Sequence, residues 1–354
     1  MPVFNLLSKI YGAAARAKNW SYDHHVMDAV RICKQVVSVG NLTVGGTGKT
    51  PVVDFLLTEC EKRKLKALVV SRNYKSKIKD TAKVDLGHPQ GAYYFGDEPF
   101  LLLEKHPSAQ VVVGPEKWKS ALWAEQNCQF DILIVDDGFQ HRNLHRDLDI
   151  VLVDASQPWE HYQLLPKGRA REDWSGLQRA HQVILTKVPT ETVTENETSH
   201  SNDDLAKIRM QLQSLNTTLD SSESSALAKP VTSSLAEMNY DLIFPVPAAT
   251  TVVGFCGLGN PSSFQKSLMG FYKENLKGFL EFPDHHNYNL KDIQHLQDLL
   301  QQHQAEWLVT TEKDLVKIKS LLGKTDRILA VPIQLNWKVM PKVVYEFLDQ
   351  VRSV

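Results

Sequence analysis

The chain has 354 residues, 42% hydrophobic and 23% charged, a globular composition with enough apolar material for more than one core. Forty Lys plus Arg against 41 Asp plus Glu leave a formal charge of −1, which argues against a nucleic-acid partner, so an anionic substrate must be met by local clusters. Cys33, Cys60, Cys128 and Cys256 are scattered and form no C-x-x-C pair, which excludes a disulfide framework or a cysteine zinc site.

The first element in chain order is a helix over the opening twenty residues. On a wheel at about 100° per residue, Asn5, Ser8, Lys9, Gly12, Arg16 and Asn19 fall in one arc, and Phe4, Leu6, Leu7, Ile10, Tyr11 and Ala13–Ala15 cover the rest, with Lys18 the one discordant charge. Residues 1–34 hold five Lys or Arg against two Asp. A wide apolar face, a basic strip and Trp20 suit an interfacial helix lying on a membrane. A helix packed on the protein's own surface reads the same way, and the pattern does not choose between them. No secretory h-region and no run of 18 apolar residues is present, so the body is expected to be soluble and cytoplasmic.

From Gln35 the chain alternates β-rich runs with helical stretches. Strands are expected at Gln35–Val39, Ala67–Ser71, Val111–Val113, Asp131–Val135, Asp149–Val153 and Gln182–Thr186, and helices at Pro51–Lys64, Pro99–Lys105 and Glu116–Glu125. Near-continuous Val, Ile and Leu in the strands fits a parallel sheet covered on both faces. From Pro189 to about Ser234 the chain turns Ser/Thr-rich, with one helical piece near Asp204–Leu215. A second α/β unit follows, with strands near Thr251–Phe255 and Trp307–Thr311 and a Gln-rich helix near Leu290–Gln304. The expected fold class is α/β: a P-loop NTPase-like parallel core, a smaller C-terminal α/β domain and an N-terminal amphipathic helix. The expected segments are 1–34 (membrane-associating helix), 35–189 (P-loop core), 190–247 (linker or insertion) and 248–354 (C-terminal domain).

The β-run Val36-Val37-Ser38-Val39 leads through Gly40-Asn41-Leu42-Thr43-Val44 into Gly45-Gly46-Thr47-Gly48-Lys49-Thr50-Pro51 at a helix start. Gly45, Gly46, Thr47 and Gly48 form a loop whose N–H groups can close around phosphate oxygens at the positive end of the helix. Lys49 would reach the β- and γ-phosphates of ATP, and the Thr50 hydroxyl would ligate Mg²⁺. The strict motif has Gly where this chain has Thr43. Asp131-Ile132-Leu133-Ile134-Val135-Asp136-Asp137 is an apolar strand ending in two carboxylates, suited to holding Mg²⁺ at Asp136 and Asp137. A GTPase would carry Asn-Lys-x-Asp where Thr186-Lys187-Val188-Pro189 stands. The MinD-like ATPases carry a Lys where Val44 stands.

The stretch Ser38–Pro51 resembles the signature of tetraacyldisaccharide 4'-kinases, its threonine included. The resemblance continues through Gly96-Asp97-Glu98-Pro99, Asp136-Asp137-Gly138-Phe139-Gln140-His141, and Leu164-Leu165-Pro166 with Gly168 and Arg171-Glu172. Further blocks are Gly257-Leu258-Gly259-Asn260-Pro261, Phe282-Pro283-Asp284-His285-His286 and Thr310-Thr311-Glu312-Lys313-Asp314. Asn73-Tyr74-Lys75 departs from the family's usual Gly-Tyr-Gly or Gly-Tyr-Lys.

The resemblance implies transfer of the ATP γ-phosphate to the 4'-hydroxyl of a tetraacyldisaccharide 1-phosphate, giving the lipid A precursor lipid IVA. It also implies a P-loop core, a smaller C-terminal domain and an N-terminal helix on the cytoplasmic face of a bacterial inner membrane. Asp97 resembles the family's catalytic aspartate, expected to take the hydroxyl proton, and His285 the histidine paired with it; Lys49 completes the catalytic set. Glu98 is a carboxylate for the metal side. Arg72, Arg171 and Lys313 are candidates for phosphate or sugar contacts, since a guanidinium suits phosphate oxygens. Asp97 and Glu98 could equally start the helix at Pro99, and Asp23-His24-His25 shows that an Asp-His-His triplet arises elsewhere in the chain. Two rival functions stay open: a P-loop kinase for a soluble sugar or metabolite, and a non-catalytic nucleotide switch.

Overall fold

The computed structural model describes residues 2–73, 76–188, 198–217, 234–323 and 326–352. Tyr74 and Lys75 of the family departure, and most of the Ser/Thr-rich stretch, lie outside the described residues. From the N-terminus come α1 (Pro2–Asp23), β1 (Gln35–Asn41), α2 (Lys49–Lys62) and β2 (Ala67–Arg72). Next are β3 (Ala82–Lys83), α3 (Gly91–Phe95), α4 (Asp97–Lys105), β4 (Gln110–Gly114), α5 (Lys117–Asn127), β5 (Ile132–Asp136), β6 (Leu148–Asp154) and β7 (Gln182–Thr186). The chain continues through α6 (Thr198–Thr217), β8 (Ser234–Leu242), β9 (Val252–Cys256), α7 (Pro261–Tyr272), β10 (Leu276–Glu281) and α8 (Leu290–Gln302). It ends with β11 (Trp307–Thr311), α9 (Glu312–Ile318), β12 (Ile328–Val331), β13 (Ile333–Val339) and α10 (Lys342–Gln350).

Two compact units result, each assembled from separate stretches. The first comprises Met1–Arg72, Ser108–Tyr240 and Leu335–Val354. Its strands lie in the order β13-β8-β7-β6-β1-β5-β2-β4. β1 is central and pairs in parallel with β5 (Val37 opposite Ile134) and β6 (Val37 opposite Leu148). Strands β5, β6 and β7 are buried along their whole length, which is why they read as unbroken apolar runs rather than alternating ones. Val36, Leu68, Val70, Leu133 and Val135 pack with Ala121 and Ala124 of α5. Val151, Val153, Val183 and Leu185 pack with Leu205, Ile208 and Leu212 of α6.

The helical piece expected near Asp204–Leu215, within the linker or insertion at 190–247, is part of α6 and packs on the first unit's core. The stripe Leu205, Ile208, Leu212 has helical spacing and belongs to the core, and β8 pairs in parallel with β7. A polar composition concealed three core positions.

The second unit comprises Asn73–Pro107 and Asp241–Gln334, with a parallel sheet in the order β10-β9-β11-β12. Alternate residues of β9 serve two layers. Val253 and Phe255 meet Ile293, Leu296 and Leu300 of α8, while Val252 and Cys256 meet Phe264, Leu268 and Tyr272 of α7. Asn289 and Asp292 form a capping box at the start of α8. Residues 73–107 belong with this unit rather than with the 35–189 segment of the sequence reading. Ala92 of α3 and Leu101 of α4 pack on Val316 of α9, a contact that only tertiary structure reveals.

Candidate functional site

The phosphate loop runs from the end of β1 to the start of α2. Thr43 explains its own departure from the motif: it forms a β-bridge with Ala170, so it is extended and needs no glycine. The true turns fall at Gly45 (φ +118°) and Gly48 (φ +92°). A Cβ at Gly45 or Gly46 would meet nothing within 4 Å, so this side of the loop is open. Helix α2 begins without a side-chain cap, and the buried Thr47 Oγ1 has no hydrogen-bond partner among the described residues. An anion placed there would satisfy both sets of donors, so the loop fits a phosphate chain. The Thr47 carbonyl accepts from Thr186 Oγ1 (3.1 Å) and Tyr240 Oη (3.3 Å). A Cβ at Gly48 would lie 1.5 Å from Tyr240 Oη. Gly48→Ala is therefore expected to weaken ATP binding by at least about tenfold through strain and displacement of Tyr240; calorimetric titration with ATP would show it, and an unchanged Kd would contradict this loop geometry.

Lys49 Nζ lies 3.4 Å from Asn41 Oδ1 and 3.5 Å from Asp137 Oδ1. Arg171 Nη1 donates to both Asp137 oxygens at 3.0 Å and to Gln140 Oε1 at 3.2 Å. Asp136 is buried and accepts from Ser71 Oγ at 3.0 Å. Burial opposes the charge of Asp137, but Lys49, Lys117 and Arg171 outweigh it and hold the carboxyl below the ordinary range. Lys49, Asp136, Asp137 and Arg171 thus form one cluster, with Thr50 in the first turn of α2. Arg72 ends β2 and is exposed.

Lys117, which the sequence reading missed, belongs to this cluster. Its side chain is 1% exposed and its ammonium donates to the Asp137 carbonyl. Burial pushes its pKa down to about 8, although Asp137 and Asp136 pull the other way. A Lys in the first turn of a helix usually points to water, so no local pattern marks this one. Glu172, quoted in a family block without a role, accepts from Gln140 Nε2 (3.0 Å), Arg179 Nη2 (2.7 Å) and Asn19 Nδ2 (3.0 Å).

Asn19 belongs to α1, whose docking reverses the usual arrangement. Ser8 Oγ donates to the Leu164 carbonyl (2.9 Å) and Tyr11 Oη to the Arg171 carbonyl (2.9 Å). At Gly12 a Cβ would lie 2.6 Å from Leu164 Cδ1, so the missing side chain lets the helix approach. Half of the polar strip is thus the packing face. Val3, Phe4, Leu6, Leu7 and Ile10 are left 46–65% exposed. Among the described residues no helix is long and apolar enough to cross a membrane.

In the second unit His285 Nδ1 and Asp97 Oδ2 are 3.0 Å apart. Asp97 is the first residue of α4 rather than its cap, and its Oδ1 accepts from the Glu98 N–H at 3.0 Å. Burial favours the neutral acid, but the His285 hydrogen bond and the charges of Lys313, His285 and Lys317 hold Asp97 down at about 2. Glu98 is ion-paired with Lys313. Asp97, His285, Tyr288 and Lys317 line part of a cleft of about 990 Å³. With Nδ1–H donating to the carboxylate, the lone pair of the ring resides on Nε2, which can accept a proton from a hydroxyl.

Residues 2–352 match the family model of tetraacyldisaccharide-1-P 4'-kinase, LpxK. The chain belongs to this family. A tetraacyldisaccharide 4'-kinase of Bdellovibrio bacteriovorus is 36% identical over 345 residues, covering 98% of this chain and 97% of that one. A family member of the same name from Koribacter versatilis is 33% identical over 345 residues, covering 94% of each. A crystal structure of LpxK from Aquifex aeolicus in complex with ATP superposes with a TM-score of 0.70 at 25% identity, covering 98% of both chains.

Proposed function

We propose that the protein is an ATP-dependent tetraacyldisaccharide 4'-kinase of lipid A biosynthesis that works from a membrane surface. The observation that carries the kinase reading is the conjunction, in a member of this family, of an open phosphate loop with Lys49 beside Asp137 and a half-buried Asp97–His285 pair. Lys49, Gly45, Gly46, Thr47 and Gly48 hold the ATP phosphates. The Thr50 hydroxyl and the carboxylate of Asp136 or Asp137 would hold Mg²⁺, which would supply charge neutralisation for phosphoryl transfer. Arg171 braces Asp137 and is the better placed of the phosphate-contact candidates. Glu98 and Lys313, paired with each other, hold the start of α4.

For the proton, the geometry favours His285 Nε2 as acceptor and Asp97 as the group that orients the imidazole and stabilises its cation. A carboxylate held below its ordinary range by the His285 hydrogen bond and the nearby ammonium groups of Lys313 and Lys317 is a weak base toward an alcohol, whereas a carboxylate oriented on Nδ1 makes the other nitrogen more basic. Acceptor-dependent ADP release tests the reading. ADP is expected to form with ATP, Mg²⁺ and detergent-dispersed tetraacyldisaccharide 1-phosphate, and not without the lipid. ADP formation driven equally by the deacylated disaccharide would favour the soluble-sugar kinase, and none at all the nucleotide switch.

Membrane association is supported by the exposed apolar side of α1, five large aliphatic or aromatic side chains facing away from the body, with Trp20 56% exposed near the helix end. The triple variant Leu6→Gln, Leu7→Gln, Ile10→Gln changes that side without touching the Ser8, Tyr11 and Asn19 contacts. It is expected to lower binding to anionic phospholipid vesicles by at least tenfold, roughly 0.8 kcal/mol per buried methylene being lost, while ATP affinity and thermal midpoint hold. Undiminished co-sedimentation with vesicles would remove α1 as the membrane element.

A further inference from the structure

We propose that Asp314 and Lys317 are positioning residues for the Asp97–His285 pair, joined to it by a buried hydrogen-bonded brace; this rests on the pair serving phosphoryl transfer as read above. Asp314 is fully buried. Its Oδ2 accepts from the Gly257 N–H (3.1 Å) and Thr311 Oγ1 (2.7 Å), and its Oδ1 from Tyr288 Oη (3.1 Å) and Lys317 Nζ (3.1 Å). Four donors on one buried carboxylate fix it rigidly.

Three of those donors lead to the pair. Lys317, with a side chain 9% exposed, places its ammonium 3.8 Å from Asp97 Oδ2, the oxygen that also faces His285 Nδ1. Gly257, held by its N–H, accepts through its carbonyl from the His285 N–H at 3.3 Å. Tyr288 follows His285 by three residues and lines the same cleft. His285 has φ +58°, a left-handed conformation that a side-chain-bearing residue keeps only where its surroundings impose it. Asp314 therefore fixes both the carboxylate, through Lys317, and the backbone that presents the imidazole. Neither role follows from capping α9, which Thr311 alone provides by accepting from the Asp314 N–H.

The test compares Lys317→Met, Lys317→Arg, Tyr288→Phe and His285→Ala in the full chain, measuring kcat, KM for ATP and thermal midpoint. Lys317→Met is expected to lower kcat by about 10–100-fold, the range typical of partners that orient a reacting group, with KM for ATP within about twofold. Lys317→Arg, which keeps the charge, should recover most of the loss. Combining Lys317→Met with His285→Ala should cost little beyond His285→Ala alone, because the brace acts through the histidine. Should Lys317→Met fail to fold, Tyr288→Phe removes one donor to Asp314 and should lower kcat in the same direction by a smaller factor. Lowered thermal midpoints with unchanged kcat in both Lys317→Met and Tyr288→Phe would overturn the proposal. Full activity of His285→Ala would instead overturn the reading of the pair itself.

Discussion

Lys49→Ala is expected to lower kcat at saturating ATP by at least about 10²–10³-fold, the usual cost of removing a fixed charge from a site where negative charge develops. Lys49 Nζ is held between Asn41 Oδ1 and Asp137 Oδ1, so the ammonium is aimed before any nucleotide arrives. Losing it leaves Asp137 with Lys117 and Arg171, and the fold should survive. Thr50→Ala should act through Mg²⁺ and shift the Mg²⁺ dependence as well as the rate. Stopped-time assays of phosphorylated lipid, with thermal midpoints alongside, check both variants. Near wild-type turnover of Lys49→Ala would remove the phosphate-loop assignment.

Asp97→Asn and His285→Ala are each expected to lower kcat by about 10²–10⁴-fold, the usual range for general-base help, while ATP affinity stays nearly constant. Asn keeps the shape of the carboxylate but cannot stabilise an imidazolium that forms as His285 takes the hydroxyl proton. A double variant hardly worse than the worse single one would mark the two as a unit. If Asp97 served only the first turn of α4, Asn would accept from the Glu98 N–H as well as Asp does, and the substitution would be silent in rate and stability. Measuring kcat and thermal midpoint of Asp97→Asn together separates the two roles.

The central sheet was legible because parallel strands covered on both faces spell themselves out as apolar runs, as β5 and β6 do. The phosphate loop was legible for a different reason: only glycine suits Gly45 and Gly48, so the chemistry dictates the letters. What stayed hidden depends on distant packing. Residues 73–107 read as part of the first core because nothing local shows Leu101 resting on Val316. The stripe of α6 was masked by its polar neighbours. Helix α1 was read correctly as amphipathic, but a wheel cannot tell that Ser8, Gly12 and Asn19 are small and polar enough to dock while the apolar residues face outward. Asp97 and His285, 188 residues apart, were paired only through a family resemblance, Asp314 stood in a family block without a role, and Lys117 and Lys317 carry no local mark. A lysine earns a place in a site through burial, which tertiary structure alone decides.

The protein is expected to add phosphate at one hydroxyl of one lipid. The direct measurement is a phosphorus–proton NMR correlation on the product formed from ATP, Mg²⁺ and tetraacyldisaccharide 1-phosphate. A single new phosphorus resonance coupled to the proton on carbon 4' is the predicted result, absent with Lys49→Ala. A phosphate coupled to any other sugar position, or an unchanged lipid beside released inorganic phosphate, would contradict it.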